Sequence, residues 1–344
     1  MQWLSIAVVS LVLAGCMSTD TMTGTTADAN APFDGEHAMA YVRGLALKAD
    51  GSPRYRMPGS PGQAEGAAYL WSQLAVAGWS RHWQNFTGQD YLALDRSMVA
   101  SYGPGSAYCP AADEAALPSW RFSNLYAVRK GTTAGGPLLM LGAHWDSQMH
   151  SDADSNATRR GWPDPGANDG ASGVGVLLEL MRHLSAGPAL PYDVGVLLID
   201  GEDGFYDCYP IAGSLYFTQH PPAAVSRFIL LDMVGDPDAR FAKETFSTQS
   251  DPAMMEVLWR HGRAAGGVDL FTNVTTTIED DHVAFIHAGI PSVDLIDAGR
   301  PTTFPPQWDT SGDTVDKLSS ETLGVVGEAL TRTLRDPALA PPWT

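Results

Sequence analysis

With 344 residues and 44% hydrophobic content the chain can bury a large core, and its even mix of Gly, Pro and aliphatic residues argues against disorder or a repeat array. A formal charge of −18 speaks against nucleic acid or an anionic membrane surface as a partner. One domain of about 300 residues fits an open α/β sheet, which can exceed the usual ~100–200 residues.

Residues 4–13 form a short apolar core followed by small residues, which reads as a targeting segment; a membrane span would need about 20 apolar residues. The ending Leu13-Ala14-Gly15-Cys16 resembles the lipobox of bacterial lipoproteins, although no Lys or Arg precedes it. That resemblance implies a signal peptide over residues 1–15, lipidation of Cys16, and anchoring in the bacterial cell envelope, periplasmic or outer-membrane associated. Residues 16–31 have no apolar periodicity and read as a flexible tether, so the folded body spans 32–344. Export would place Cys109 and Cys208 where a disulfide is allowed, and the sequence leaves both the paired and the free state open.

Apolar residues at helical spacing predict a helix over 33–48, and a second over 63–76 follows the turn-forming Pro-Gly-Ser-Pro-Gly and stops at Gly78. Strands are expected at 79–86 and 120–129, separated by a Gly/Pro/Ala-rich insertion, 91–118, with no assigned chemistry. The buried strand 138–143 runs into Gly-Ala-His144-Trp-Asp146-Ser; Ala-Asn-Asp169-Gly-Ala-Ser-Gly then opens a helix over 174–184. Strand 194–199 ends in Asp200-Gly-Glu202-Asp203-Gly, and strand 228–234 contains Leu231-Asp232-Met233-Val234. A helix over 254–265, a turn from Glu279-Asp280-Asp281-His282 into 283–287, a strand over 291–296 and a closing helix over 320–334 complete the chain. Alternating strands and helices imply a single α/β domain, three layers α/β/α, with a mixed, mainly parallel central sheet.

In such sheets ligands bind beyond the carboxyl ends of the strands, so these acidic strand ends converge on one crevice. A single acid at a strand end is most often a cap or a solvated turn. Several in one sheet repel and raise one another's pKa, and such a cluster needs a cation. Adjacent acids at Glu202-Asp203 allow one carboxylate to ligate a metal while its neighbour moves protons. Mixed imidazole and carboxylate donors favour zinc over magnesium or calcium.

The ordered set of motifs, with Phe122-Ser-Asn, Asp238-Ala-Arg-Phe, Glu279-Asp-Asp-His and Phe304-Pro-Pro-Gln-Trp308, resembles the zinc aminopeptidase clan, and within it the bacterial glutaminyl cyclases, over residues 33–335. The resemblance implies zinc as cofactor, held by Asp169, Asp203 and a residue at position 309, with Glu202 as proton shuttle. It implies that Asp232 and Asp280 orient the reacting amide and the shuttle, and that Glu279, Phe304 and Trp308 bind substrate. Its expected partners are peptides or proteins with a free N-terminal glutamine, taken up by a monomer that meets a membrane only through its lipid anchor.

The departure is at Asp309, where the family pattern Trp-His-Thr has its metal-binding histidine. Asp309 may be read as the third ligand, as a residue displaced by a shift of the metal toward His144, or as the mark of an impaired site. Three functions follow. The first is cyclisation of N-terminal glutamine to pyroglutamate with release of ammonia and one zinc. The second is a two-zinc aminopeptidase in which His144 and Asp232 hold the second ion, and the third is a peptide-binding relative without turnover.

The remaining polar residues have plainer expectations. His150, His183, His220, His261 and His287 read as surface or satisfied core residues, and Asp152, Asp154 and Asp164 as solvated. Trp145, Trp162 and Tyr206 fit either the pocket or the core. Ser172 lies outside any Gly-x-Ser-x-Gly elbow and is not a nucleophile.

Overall fold

In the computed structural model, which describes residues 31–204, 207–341 and 343, helix α1 (Gly35–Ala46) starts at Asp34, whose carboxylate accepts the His37 N–H at 3.1 Å. Cys16, the targeting segment, the tether up to residue 30, and Tyr206 lie outside the described residues. Helix α2 (Pro61–Gln73) is capped by Ser60 and opens on Pro61, whose missing N–H costs nothing in a first turn. Strand β1 (Trp79–Thr87) then leads into the insertion, which is built from α3 (Gly88–Leu92), α4 (Ala111–Ala116) and short 3-10 turns.

The chain returns as β2 (Arg121–Arg129), antiparallel to β1, and continues through β3 (Leu138–His144), α5 (Ala171–Ala186), β4 (Asp193–Ile199), α6 (Ala212–Gln219) and β5 (Arg227–Asp232). A parallel pair, β6 (Phe241–Glu244) and β7 (Phe271–Thr276), brackets α7 (Thr245–Ser250) and α8 (Pro252–Ala264). Helix α9 (Asp281–His287), strand β8 (Ser292–Ile296) and helix α10 (Ser320–Leu334) close the chain.

The main sheet has the order β1-β2-β4-β3-β5-β8, with β4, β3, β5 and β8 mutually parallel and β1 and β2 antiparallel at one edge. Every residue of β3 and β4 is buried, as expected of strands covered on both faces. Alternation sorts their side chains. Leu139, Leu141, Ile229 and Leu231 pack with α1, α5, α8 and α10 on one face, whereas Met140, Phe228 and Leu230 pack with Phe217 of α6 and Phe285 of α9 on the other. This is the three-layer, mainly parallel architecture read from the sequence.

Several short elements depart from expectation: α6, α7 and the β6/β7 pair were not predicted, and residues 281–287 were expected only as a turn. Residues 281–287 form a helix, because the Asp280 side chain accepts the Asp281 N–H and starts a turn that the short apolar run 283–286 continues against the sheet. The β6/β7 pair carries no run of alternating apolar residues, and its pairing is a long-range event. No helix among the described residues is long and apolar enough to cross a membrane.

Cys109 and Cys208 are disulfide-bonded across 99 positions of sequence, which ties the insertion to the loop that follows β4. A closed loop of that size stabilises by up to about 4–5 kcal/mol through the entropy it removes from the unfolded chain. A Cys109→Ser/Cys208→Ser double variant is therefore expected to unfold at lower urea concentration than the oxidised parent, and reduction of the parent should reproduce the loss.

Candidate metal centre

Because β3, β4, β5 and β8 run parallel, their carboxyl ends lie at one edge of the sheet, and the residues placed just beyond them meet there. His144 ends β3 and Asp232 ends β5; Glu202 and Asp203 follow β4, Asp169 precedes α5, and Asp280 caps α9. A cavity of about 390 Å³ opens at this edge. Asp169, Glu202, Asp203, Asp232, Glu279, Asp280, Phe304, Trp308 and Asp309 all line it, so one pocket gathers the metal, shuttle and substrate residues that the resemblance implies, while His144 and Asp146 do not line it. His144 is fully buried against the acids that form the wall.

The His144 ring is the centre of this group. Its Nε2 lies 2.9 Å from Asp169 Oδ1 and 3.2 Å from Asp232 Oδ1, while Nδ1 stands 3.6 Å from Asp146, 3.8 Å from Asp203 and 3.9 Å from Glu202. Donor atoms of His144, Asp169 and Asp203 all lie within 4.8 Å of one another. The close set thus contains an imidazole supplied by β3. Asp309 stands on the cavity wall with a left-handed backbone (φ 51°), a conformation that Asp tolerates better than most residues.

Electrostatics make this an unstable collection without a counter-charge. Burial pushes the carboxyls of Asp203 and Glu202 well above the usual range, with Asp169 adding to the effect on Asp203 and Asp280 to that on Glu202. Asp309 is raised in the same way by burial and by Asp169. Burial would lower the His144 pKa, but Asp146, Asp169 and Asp232 outweigh it and hold the ring well above its ordinary value. His144 Nδ1 is buried and has no hydrogen-bond partner. Buried acids around an imidazole with a free ring nitrogen fit a divalent cation, and the mixed donors suit zinc.

The surrounding shell holds these donors in place. Asp146 accepts the Glu202 N–H at 3.2 Å and the Asp203 N–H at 3.3 Å, so its carboxylate orients the acid pair. Asp313, absent from the sequence reading, accepts the Asn168 and Asp169 N–H groups, each at 2.9 Å, and fixes the Asp169 loop. Gly170 sits at φ 88°, and a Cβ there would come within 2.9 Å of the Asp146 carbonyl and the His144 ring. Ser172 bonds the Asn168 carbonyl and the Val234 N–H, a structural use of its hydroxyl.

Beneath the acids lies Arg56, which no sequence signal marks. It is fully buried and donates to the carbonyls of Arg54, Trp145, Asp146, Pro165 and Gly166. Burial brings its pKa down to about 10, against the pull of Asp146, Asp203, Asp313 and Asp164. One guanidinium thus braces two of the three segments that carry the metal donors, the end of β3 and the loop before Asp169, and supplies a positive charge beside them.

The aromatic wall comes from Phe304 and Trp308, whose rings lie 4.3 Å apart, and from Tyr102 of the insertion. Tyr102 reaches the cavity from a stretch whose composition suggested no chemistry. Trp145 belongs to the core and Trp162 is exposed. Asp154 and Asp164 are buried and not solvated: the Ser311 hydroxyl donates to the first and the Gly166 N–H to the second. His150 pairs with Asp207 at 2.8 Å.

Two outcomes follow. Arg56→Met should cost on the order of 3–5 kcal/mol in urea unfolding, as removal of one partner from a buried charge group does. It should also weaken divalent-metal binding, on the order of 10–100-fold.

The second concerns pH. Burial lifts Asp232 to about 6 and Asp280 and Asp313 to about 7, against about 4 in an unfolded chain. The folded state binds more protons in that interval, so metal-free protein should lose stability as pH rises from about 4 through about 7. A bound cation displaces the same protons, and thermal melts at pH 5 and pH 8 should show a larger metal-induced rise in Tm at pH 8.

The fold and sequence are similar to those of known proteins. The chain is similar to a Bacteroides thetaiotaomicron glutaminyl cyclase solved with N-acetylhistamine, at 26% identity and a TM-score of 0.73, covering 88% of this chain and 98% of that one. It is similar to a Zn-dependent exopeptidase from Parabacteroides distasonis at 25% identity and a TM-score of 0.72, with the same coverage of 88% and 98%. Glutaminyl-peptide cyclotransferase of Bothrops jararaca is 25% identical over 201 residues, which span 48% of this chain and 54%, about half, of that relative's length. The model of Peptidase family M28 matches residues 124–334, the segment that carries His144, Asp169, Glu202, Asp203, Asp232 and Asp309, and the chain belongs to that family.

Proposed function

We propose that the chain is a zinc-dependent glutaminyl cyclase that converts the N-terminal glutamine of peptides to pyroglutamate and releases ammonia. The observation that carries this reading is Glu202. It lies beside the donor group of His144, Asp169 and Asp203 without belonging to it, and it faces a cavity walled by Phe304 and Trp308. The similarity to solved glutaminyl cyclases supports it.

Bound zinc supplies a Lewis acid for the side-chain amide oxygen of the substrate. In the reaction the α-amine nitrogen bonds to the side-chain carbonyl carbon and the bond from that carbon to the amide nitrogen breaks. Glu202 accepts the proton that the amine loses and returns it to the departing ammonia. Its raised pKa makes its carboxylate a stronger base for the first transfer. Asp232 and Asp280, which also line the cavity, orient the amide and the shuttle. Since attacker and target belong to one molecule, the aromatic wall contributes by fixing the curled conformation and by excluding water, which would give hydrolysis instead.

His144 favours a second reading. Its contacts with Asp169 and Asp232 form a donor set that would hold a second ion, as a two-zinc aminopeptidase requires. One zinc at the cavity with ammonia release supports the cyclase; two with release of an N-terminal residue support the peptidase. Lipidation at Cys16 and residence in the cell envelope are part of the proposal, and globomycin-sensitive processing would test them.

With a glutamine-leading peptide, purified protein is expected to release ammonia and no free amino acid. Glu202→Gln should lower kcat at least ~100-fold with little change in KM, as loss of a general acid/base does. Fast hydrolytic cleavage without cyclisation would sink the cyclase reading.

A further inference from the structure

Asp280, which lines the cavity, belongs also to a second group of buried donors. Asp280, His282 and Asp294 are all buried, and one donor atom of each lies within 4.8 Å of the other two. They come from separate places: the cap of α9, the first turn of α9, and the middle of β8. Glu244, the cap of α7, lies on the far side of the imidazole.

The orientation of His282 is the informative feature. Its Nε2 lies 3.2 Å from Glu244 Oε2, so the proton on the ring belongs at Nε2. Glu244 is itself held by the N–H groups of Phe246 and Ser247 and by the Ser247 hydroxyl. The remaining nitrogen, Nδ1, points toward Asp294, 3.7 Å away, and has no hydrogen-bond partner. A carboxylate that fixes one ring nitrogen and leaves the lone pair of the other facing further carboxylates is how proteins present histidine to a metal.

The acids are equally exposed to need. Neither oxygen of Asp294 has a partner, nor does Oδ2 of Asp280, and all three are sealed from solvent. Unpaired buried carboxylates are costly, and one imidazole cannot neutralise Glu244, Asp280 and Asp294 together. Zinc donors at about 2.0–2.2 Å from the ion lie at most about 4.4 Å from each other, so the observed group needs only a small contraction to close on one.

We propose that Asp280, His282 and Asp294 bind a divalent transition-metal ion, separate from the ion at His144, Asp169 and Asp203. One imidazole and two carboxylates select zinc-like ions over calcium or magnesium. The ion holds Asp280 as a carboxylate at the cavity wall, and through it the second site supports the first. Which reaction the cavity catalyses does not enter this inference.

The test is zinc uptake by full-length protein stripped with chelator and titrated with zinc chloride. Asp294→Asn and His282→Gln should each bind one equivalent fewer than the parent. Asp203→Asn, which breaks the cavity group, should retain the equivalent at Asp294. Equal uptake by Asp294→Asn and the parent would overturn the proposal. Should these variants fail to fold, crystals of the zinc-loaded parent decide: an anomalous peak at the zinc edge between Asp280, His282 and Asp294 supports it, and a map with no peak there refutes it. A cyclase assay on the parent is read separately, so failure of either idea leaves the other standing.

Discussion

The structure turns on the gathering of negative charge at the carboxyl edge of a parallel sheet. Asp169, Glu202, Asp203 and Asp232 are all buried there, around the His144 imidazole. Such a group can persist only if protons or cations offset it, and the surrounding fold is arranged to keep the donors in place when they do. Asp146 and Asp313 use their carboxylates on backbone N–H groups, which fixes the turns that carry the ligands. Arg56 adds a permanent positive charge that ties the stretch after β3 to the loop before Asp169, and it does so through carbonyls rather than through the acids themselves.

This arrangement separates two tasks that chemistry at an amide requires. Asp169, Asp203 and His144 are close enough to share an ion, whereas Glu202 borders the same cavity with its carboxyl raised by burial. A base next to a Lewis acid serves attack by an amine or by water equally well. In the proposed reaction exclusion of water would divide cyclisation from hydrolysis, and the residues placed to provide it are Phe304, Trp308 and Tyr102, which line the cavity. The insertion that carries Tyr102 is pinned by the Cys109–Cys208 bond to the loop just after Asp203, so the wall and the metal donors share one anchorage.

Much of the fold was legible because the central strands are covered on both faces. β3 and β4 read as continuous apolar runs for that reason, and the acids that follow them stand out as abrupt changes of character. Helices α1 and α10 were equally plain, since each buries one stripe and leaves the other more polar, and α5, buried almost all round, reads as a run of apolar residues. The helix at 281–287 and the β6/β7 pair were not, because a seven-residue helix and a four-residue strand are too short for periodicity to declare.

The sequence by itself determined which chemistry is on offer: the strand lengths, the acids and histidine at their ends, and the adjacent Glu202-Asp203 pair, all of them local patterns. Only the tertiary structure decided which of these groups meet. Arg56 reaches a carbonyl 110 positions away, Asp313 an N–H 144 positions away, and His144 lies together with Asp169 and Asp203. Contacts across such distances depend on strand order and loop closure, and nothing in the neighbourhood of Arg56 or Asp313 along the chain distinguishes them from solvated residues.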